Sequence, residues 1–380
     1  MLRIAQLAPP FMPVPPTKYG GTERVVSLVT EELVRRGHAV TLFASGDSRT
    51  AAELVPVVPA GLWGRDMSNP YVGIALALGA CYGRAREFDV IHAHLDISAF
   101  PAARLAPTPT VHTLHGRLDL PALRPLYAAY RDMALISISN NQRRPLSWAS
   151  WIGTVYNGVD IDELRYDPRG GRYLVFLGRI SPEKGLARAI RIARQAGAEL
   201  VIAAREPLPY VQDPAVRQDR DYYEAEVKPL LREPGIHYIG EVDGPTKAEL
   251  LGGALALLNP IDWEEPFGLN MAEALACGTP VLATRRGSVP EIVEHGVTGW
   301  IGDIDADLVA AVERVDELDR ARCRRTAVER FSSAAMVDGY LAAYAAVLGT
   351  GAEELLQPSA NGHRADEREA SLASEVSWRH

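Results

Sequence analysis

Short apolar runs alternate along this chain with longer stretches in which apolar residues recur every three or four positions. RIAQLAP (3–9), HAVTLFA (38–44), DVIHAH (89–94), TPTVHTLHG (108–116) and ALISISN (134–140) read as buried strands, each preceded by a turn or a helix. Val25, Leu28, Val29, Leu33 and Val34 share one face of a helix that begins at Thr22 and ends at Gly37, and a second helix is expected near 70–86. The pattern restarts after residue 170. RYLVFLG (172–178), AELVIAA (198–204), GIHYIGEV (235–242), ALALLN (254–259), TPVLAT (279–284) and TGWIG (298–302) read as strands. Helices are expected between them at 185–196, 219–232, 245–253 and 270–277, and three more follow at 304–318, 320–330 and 333–347.

Strands that alternate with helices imply right-handed crossovers and a parallel sheet covered on both faces. Two such sets in succession predict an α/β protein of two tandem Rossmann-like, doubly wound domains. Their strand carboxyl ends face a central cleft. The turn-rich segment YNGVDIDELRYDPRGG (156–171) is the natural boundary, and the stretch from about 351 onward lacks apolar periodicity and is expected to be a disordered tail.

Composition narrows the class. A length of 380 residues suits two domains, and 47% hydrophobic with 23% charged residues suits a soluble protein. A net charge of −8 argues against a general nucleic-acid binder. The cysteines (Cys81, Cys277, Cys323) are three, offering neither a disulfide framework nor a metal-binding spacing, which fits a reducing compartment. MLRIAQLAPPF lacks the pattern of a signal peptide, and the most apolar window, 71–82, is too short to span a bilayer. A cytoplasmic protein with no transmembrane segment is expected, with peripheral membrane contact still open.

The chemistry concentrates in NPIDWEEPFGLNMAEALACGTP (259–280). Pro266 keeps Glu265 ahead of the following helix, while Glu273 falls within that helix's first turns. Gly268 admits close backbone approach, and the amides near Phe267, Gly268, Leu269 and Asn270 lie at a helix amino terminus that attracts anions. Two carboxylates able to grip hydroxyls, with amides able to grip phosphate, suit a sugar phosphate. A turn and an amphipathic helix are also ordinary structure, so the reading depends on its company.

That company is threefold. GRISPEKG (178–185) follows the first strand of the second set and carries Arg179 and Lys184 toward a helix start, an arrangement that suits a diphosphate. Neither a Walker loop nor a GxGxxG is present. YGGTER (19–24) places Gly20 and Gly21 at the first strand-to-helix loop, where backbone can approach a ligand. His92, His94 and His115 end strands of the first domain. The HAH pair resembles a metal site only superficially for want of a third ligand, and His115 is the preferred contact to a reacting sugar. The DID triplets at 160–162 and 303–305 read as loop residues rather than metal ligands.

Together these stretches resemble the retaining GT-B glycosyltransferases of family 4. The anchors are YGGTE (19–23), LHG (114–116), YNGVD (156–160), GRISPEKG (178–185), EPFGLNMAE (265–273) and ALACGTPV (274–281), and the resemblance covers about 1–348. It implies an acceptor-binding domain at 1–165 and a nucleotide-sugar-binding domain at 166–332. It further implies a helix at 333–348 returning to the first domain, with 349–380 as tail. By the same resemblance, Arg179 and Lys184 neutralise the donor diphosphate, Glu273 binds the donor ribose and Glu265 lies near the sugar hydroxyls. The Phe267–Asn270 backbone covers sugar and phosphate, Gly20 and Gly21 form the amino-terminal glycine loop, and His115 lies near the sugar's 6-hydroxyl. Arg286-Gly287-Ser288 departs from the family, which often has two glycines there, and puts that loop in question.

The expected reaction is hexose transfer from a nucleotide sugar, UDP-glucose first and GDP-mannose next, to an unidentified acceptor hydroxyl. Retention by front-face attack is inherited from the family. No metal or other cofactor is called for, because fixed cations and amides can stabilise the departing diphosphate. A sugar-nucleotide epimerase of the same fold and a non-catalytic nucleotide-sugar-binding protein are the alternatives.

Overall fold

The computed structural model describes residues 1–18, 20–63, 69–207, 214–351 and 355. The first sheet contains β1 (Arg3–Leu7), β2 (Ala39–Ser45), β3 (Glu53–Val58), β4 (Val90–Ala93), β5 (Thr110–Leu114), β6 (Ala134–Ser137) and β7 (Trp151–Thr154). They lie in the order β3-β2-β1-β4-β5-β6-β7, with every pairing parallel. The second contains β8 (Tyr173–Arg179), β9 (Glu199–Arg205), β10 (Ile236–Gly240), β11 (Ala256–Asn259), β12 (Val281–Thr284) and β13 (Gly299–Gly302). Their order is β10-β9-β8-β11-β12-β13, again all parallel. Strand order reverses beside β1 in one sheet and beside β8 in the other, and doubly wound folds bind ligands at such switch points.

The helices of the first unit are α1 (Gly21–Arg35), α2 (Pro70–Gly83), α3 (Phe100–Leu105) and α4 (Arg124–Ala129). Those of the second are α5 (Leu186–Gln195), α6 (Pro214–Tyr222), α7 (Gly244–Gly252), α8 (Leu269–Ala276), α9 (Val289–Ile292) and α10 (Asp305–Val312). The chain ends in α11 (Arg320–Phe331) and α12 (Ser333–Leu348). Both sheets are covered on two faces, so β4, β11 and β12 are buried at every position.

The two final helices divide between the sheets. Cys323, Ala327 and Phe331 of α11 share a core with Met271, Ala274 and Leu275 of α8. Met336, Val337, Tyr340, Leu341 and Tyr344 of α12 pack among Ile4, Val25, Val29, Val90 and Val111 of the first unit. Val337 and Leu341 are fully buried there, and burial of such side chains stabilises by about 1.5–3 kcal/mol each. The chain therefore crosses between the units twice. The crossings lie side by side, because the Val159 amide donates to the Phe331 carbonyl at 2.8 Å.

Several elements differ from expectation. β3 and β7 are the two outermost strands of the first sheet and were not anticipated. β3 contains Pro56, which only an edge strand tolerates, and β7 contains Gly153 and is nowhere fully buried. The helix expected over 219–232 is instead α6, a π-turn at Tyr223–Val227 and a 3₁₀ turn at Leu230–Arg232 that Pro229 precedes. The helix expected over 304–318 ends at Val312 and continues only as a 3₁₀ turn at Val315–Glu317. Of the expected tail, Leu355 is buried against the first unit's core. Residues 352–354 and 356–380 lie outside the described residues, as does Tyr19 of the YGGTE stretch.

Candidate active site

A cleft of about 570 Å³ opens between the carboxyl ends of the two sheets. All eleven residues singled out from the sequence line it: His115, Glu265, Arg179, Lys184, Gly20, Gly21, Phe267, Gly268, Leu269, Asn270 and Glu273.

The floor is the turn from β11 into α8. Gly268 adopts φ +79° as the residue preceding the helix, and a side chain there would lie 2.5 Å from Met271 Cε. Phe267 turns its ring into the core beside Tyr156 and Phe331 and leaves its backbone at the cleft. The Asn270 side chain is spent on structure. Its amide donates to the Leu177 carbonyl at 3.1 Å and to Asn259 Oδ1 at 3.2 Å, tying the start of α8 to the ends of β8 and β11.

The two glutamates are both buried, at 8% and 6% exposure for Glu265 and Glu273, and each is paired with a lysine. Lys184 Nζ donates to Glu265 Oε2, which also accepts from the Trp263 indole N–H at 3.1 Å. Lys247 Nζ donates to Glu273 Oε1. Arg179 bonds Glu183 and Asp219 rather than standing with Lys184 as an isolated pair of cations. Burial pushes the Asp219 carboxyl up, against the opposing pull of Arg179. Gly185, at φ +72°, packs against the Pro260 carbonyl so closely that any side chain would collide with it, which seats the Lys184 turn directly on the loop after β11.

The opposite wall belongs to the first unit. A side chain on Gly20, at φ +148°, would lie 2.7 Å from Pro16 Cγ, and one on Gly21 would lie 3.3 Å from Leu269 across the cleft. Burial pushes His115 down to about 4. Its backbone amide donates to Asp96 Oδ1 at 3.1 Å, and Asp96 itself holds a positive φ of 45°. His92 and His94 have rings 4.0 Å apart, but both are engaged in hydrogen bonds, and no cluster of three metal-ligating groups occurs among the described residues.

The loop at 285–288 resolves the question raised by its sequence. Gly287 is the position that presses on the Glu265 backbone, while Arg286 points outward toward Asp262 at 3.6 Å. Ser288 then buttresses the glutamate turn, its amide donating to the Glu265 carbonyl at 2.9 Å and its hydroxyl to the Phe267 carbonyl at 2.7 Å. Glycine is needed at one place in this loop, and it is there.

Sequence reasoning missed four contributors. Lys247 and Asp219 lie on helices without a recognisable motif, and Trp263 stood inside the key stretch unremarked. Lys184 Nζ lies 4.9 Å from the Trp263 ring centroid, and Arg117 of the first unit approaches the same ring at 6.0 Å. Glu291 of α9 is the fourth. Its carboxylate accepts from the backbone amides of Asn140 and Asn141, both at 2.7 Å, and from the Tyr156 hydroxyl at 3.0 Å, which pins one unit to the other.

Two parallel doubly wound units, closing a polar cleft that gathers paired lysines, buried glutamates and helix-start amides, define the GT-B class. A family model described as "Glycosyl transferases group 1" matches residues 166–330, and one described as "Glycosyltransferase Family 4" matches residues 19–163. The chain belongs to this group 1, family 4 set of glycosyltransferases and is a sugar-transferring enzyme. It is 27% identical to a phosphatidyl-myo-inositol mannosyltransferase of Mycobacterium tuberculosis, over 93% of this chain and 99% of that protein. It is also 27% identical to a D-inositol 3-phosphate glycosyltransferase of Mycolicibacterium smegmatis, over 86% of each. Among solved structures it resembles AviGT4, a glycosyltransferase involved in avilamycin A biosynthesis. The identity is 26% and the TM-score 0.67, over 92% of this chain and 98% of that one. No described helix is long and apolar enough to cross a membrane.

Proposed function

We propose that this enzyme moves a hexose from a nucleoside diphosphate sugar to an acceptor hydroxyl, with retention at the anomeric carbon and without a metal. UDP-glucose is the first donor to try and GDP-mannose the next. The observation that carries the reading is the meeting, in one cleft, of Arg179 and Lys184 from the β8 loop with Glu265, Glu273 and the α8 amides. Residues 1–165 serve the acceptor and 166–332 the donor in this reading, with the cytoplasm as its setting.

The chemistry follows from charge. Breaking the bond between sugar and phosphate develops positive charge at the anomeric carbon and negative charge on the departing diphosphate. Arg179, Lys184 and the amides from Phe267 to Asn270 meet the negative charge. Glu273, gripped by Lys247, takes the ribose hydroxyls. Glu265, oriented by Lys184 and the Trp263 N–H, takes hydroxyls of the transferred sugar, with His115 opposite. The acceptor hydroxyl attacks on the face the diphosphate leaves, and a phosphate oxygen receives its proton.

The test is nucleotide release from UDP-, GDP- and ADP-hexoses, with and without candidate polyol acceptors that include inositol and inositol phosphate. Release from one donor that persists in EDTA, with a product of unchanged anomeric configuration by NMR, is expected. Conversion of the donor without an acceptor and without nucleotide release would favour an epimerase. Tight nucleotide binding without turnover under any acceptor would favour a binding protein.

A further inference from the structure

Behind His115 a line of buried side chains runs through the first unit to the last helix. His115 Nε2 meets His94 Nδ1 at 2.9 Å, and His94 Nε2 meets Gln6 Oε1 at 3.0 Å. Gln6 Nε2 donates to the Tyr344 hydroxyl at 3.2 Å, and that hydroxyl meets His92 Nδ1 at 2.7 Å. His92 Nε2 meets Thr113 Oγ1 at 2.7 Å, and Thr113 donates to the Tyr340 hydroxyl at 3.4 Å. The placement follows from strand geometry. His92 and His94 are two residues apart on or just beyond β4, as are Thr113 and His115 at β5, so each pair faces the same way. Gln6 is paired with His92 in register on the neighbouring β1, and α12 covers this face with Tyr340 and Tyr344.

The run has a polarity. The Gln6 carbonyl faces His94, so His94 Nε2 carries a proton and its Nδ1 is an acceptor. His115 Nε2 must then donate to His94, which leaves the His115 Nδ1 lone pair for the cleft. At the other end the Gln6 amide donates to Tyr344, which is thereby free to donate to His92. Along the run from His115 to Thr113 every ring nitrogen, the Gln6 carbonyl and the Tyr344 hydroxyl that face one another are paired donor to acceptor. Gln6 Nε2 also lies 3.5 Å from His92 Nδ1, so the run is held by matched polar contacts within the core. Burial holds the His92 and His94 rings well below the ordinary histidine range, so the run carries neutral rings throughout.

We infer that Tyr344, Gln6 and His94 are positioning residues that dictate the tautomer of His115, and so whether the nitrogen left for the cleft is bare or protonated, making the returning helix α12 a working part of the site. The inference rests on the proposed place of His115 beside the transferred sugar. A bare Nδ1 accepts a hydrogen bond from a sugar hydroxyl, whereas the opposite tautomer would offer that hydroxyl a donor in its place.

The test uses the full chain with ¹⁵N-labelled histidine, reading ring nitrogen shifts in wild type, Tyr344→Phe, His94→Gln and His94→Leu. Wild-type His115 is expected to be Nε2-protonated with Nδ1 bare. Tyr344→Phe removes one oxygen without changing ring volume. It is expected to give a mixture of His115 tautomers and a fall in kcat of about tenfold or more, the scale of a misplaced proton donor or acceptor, with KM for the sugar nucleotide unchanged. His94→Gln, which can still accept from His115, is expected to retain the tautomer and most of kcat, and His94→Leu to lose both. The inference is overturned if wild-type His115 is protonated at Nδ1, or if Tyr344→Phe and His94→Leu lower only thermal stability. The ring shifts report the tautomer whether or not a transferred sugar is ever found, so failure here and failure of the proposed function are distinguishable.

Discussion

Replacing Lys184 with alanine isolates the diphosphate contact at the centre of the proposed chemistry. The substitution removes the ammonium that bonds Glu265 and faces the Trp263 ring, and leaves Gly185 seated against Pro260. A diphosphate oxygen that approaches Nζ to about 4 Å in a medium of effective dielectric near 20 gains about 4 kcal/mol. Lys184 already interacts with Glu265, so part of that gain offsets an interaction it relaxes. If half survives, about 2 kcal/mol is lost on truncation, or a factor of about 30 in kcat/KM, and the full value corresponds to roughly 1000-fold. The same variant leaves the Glu265 carboxylate, 8% exposed, with the Trp263 N–H but no cation, which is expected to cost about 1–3 kcal/mol of stability. Adding Glu265→Gln isolates the stability effect, because it relieves the uncompensated charge without restoring a cation, while activity is expected to stay low through loss of both the cation and the Glu265 carboxylate. Nucleotide release against donor concentration, together with a urea midpoint, reads both quantities. A single variant within about threefold of wild type in kcat/KM, or a double variant that regains activity along with stability, would refute the reasoning.

Three further outcomes follow from the same geometry. Glu273→Ala is expected to weaken nucleotide binding by calorimetry about tenfold or more while leaving acceptor KM unchanged, since it removes a carboxylate and strands Lys247 at 15% exposure; equal losses on both substrates would argue against the ribose role. Glu291→Ala breaks three hydrogen bonds between the units, two of them to backbone amides, and is expected to loosen their contact by about 3 kcal/mol, enough to enlarge the radius of gyration in solution scattering; an unchanged profile would show that the latch is dispensable. His115 and His112, depressed by burial to about 4 and about 3, bind protons more readily in the unfolded chain, so stability present above pH 6.5 falls on acidification, by about 1.4 kcal/mol per histidine per pH unit down to those values. His92 and His94 shift in the same direction, and a urea midpoint that stays flat from pH 7.5 to 5.5 would contradict the depressed values of these histidines.

The alternation of apolar runs with helical periodicity was enough to read two parallel doubly wound units, because strands buried on both faces must be apolar along their length. Edge strands need not obey that rule, although β10 and β13, the edges of the second sheet, were legible all the same. β3 carries a proline and β7 a glycine, and each has one side free of pairing, so neither shows the continuous apolar run that marked β1, β4 or β8. The site residues that sat in contiguous motifs were legible for a related reason. Gly268 answers a backbone demand within its own motif, so spacing along the chain carries that information, whereas Gly185 and Gly287 are demanded by Pro260 and Glu265, far off in the sequence, and only the fold shows why they must be glycine.

What the sequence alone could not convey is pairing over distance. Lys184 with Glu265 spans 81 positions, Lys247 with Glu273 spans 26, and Gln6 with Tyr344 spans 338. Arg179 and Lys184 looked like two cations awaiting one anion, and the fold instead gives each of them carboxylate partners from within the second unit. His92 and His94 looked like isolated strand ends, and the fold joins them to His115 and α12. Such contacts depend on which strand lies beside which and on where the last helix returns. These are decided by the packing of whole elements, since the partners that offset the burial of these charges and imidazoles are brought to them only by the completed core.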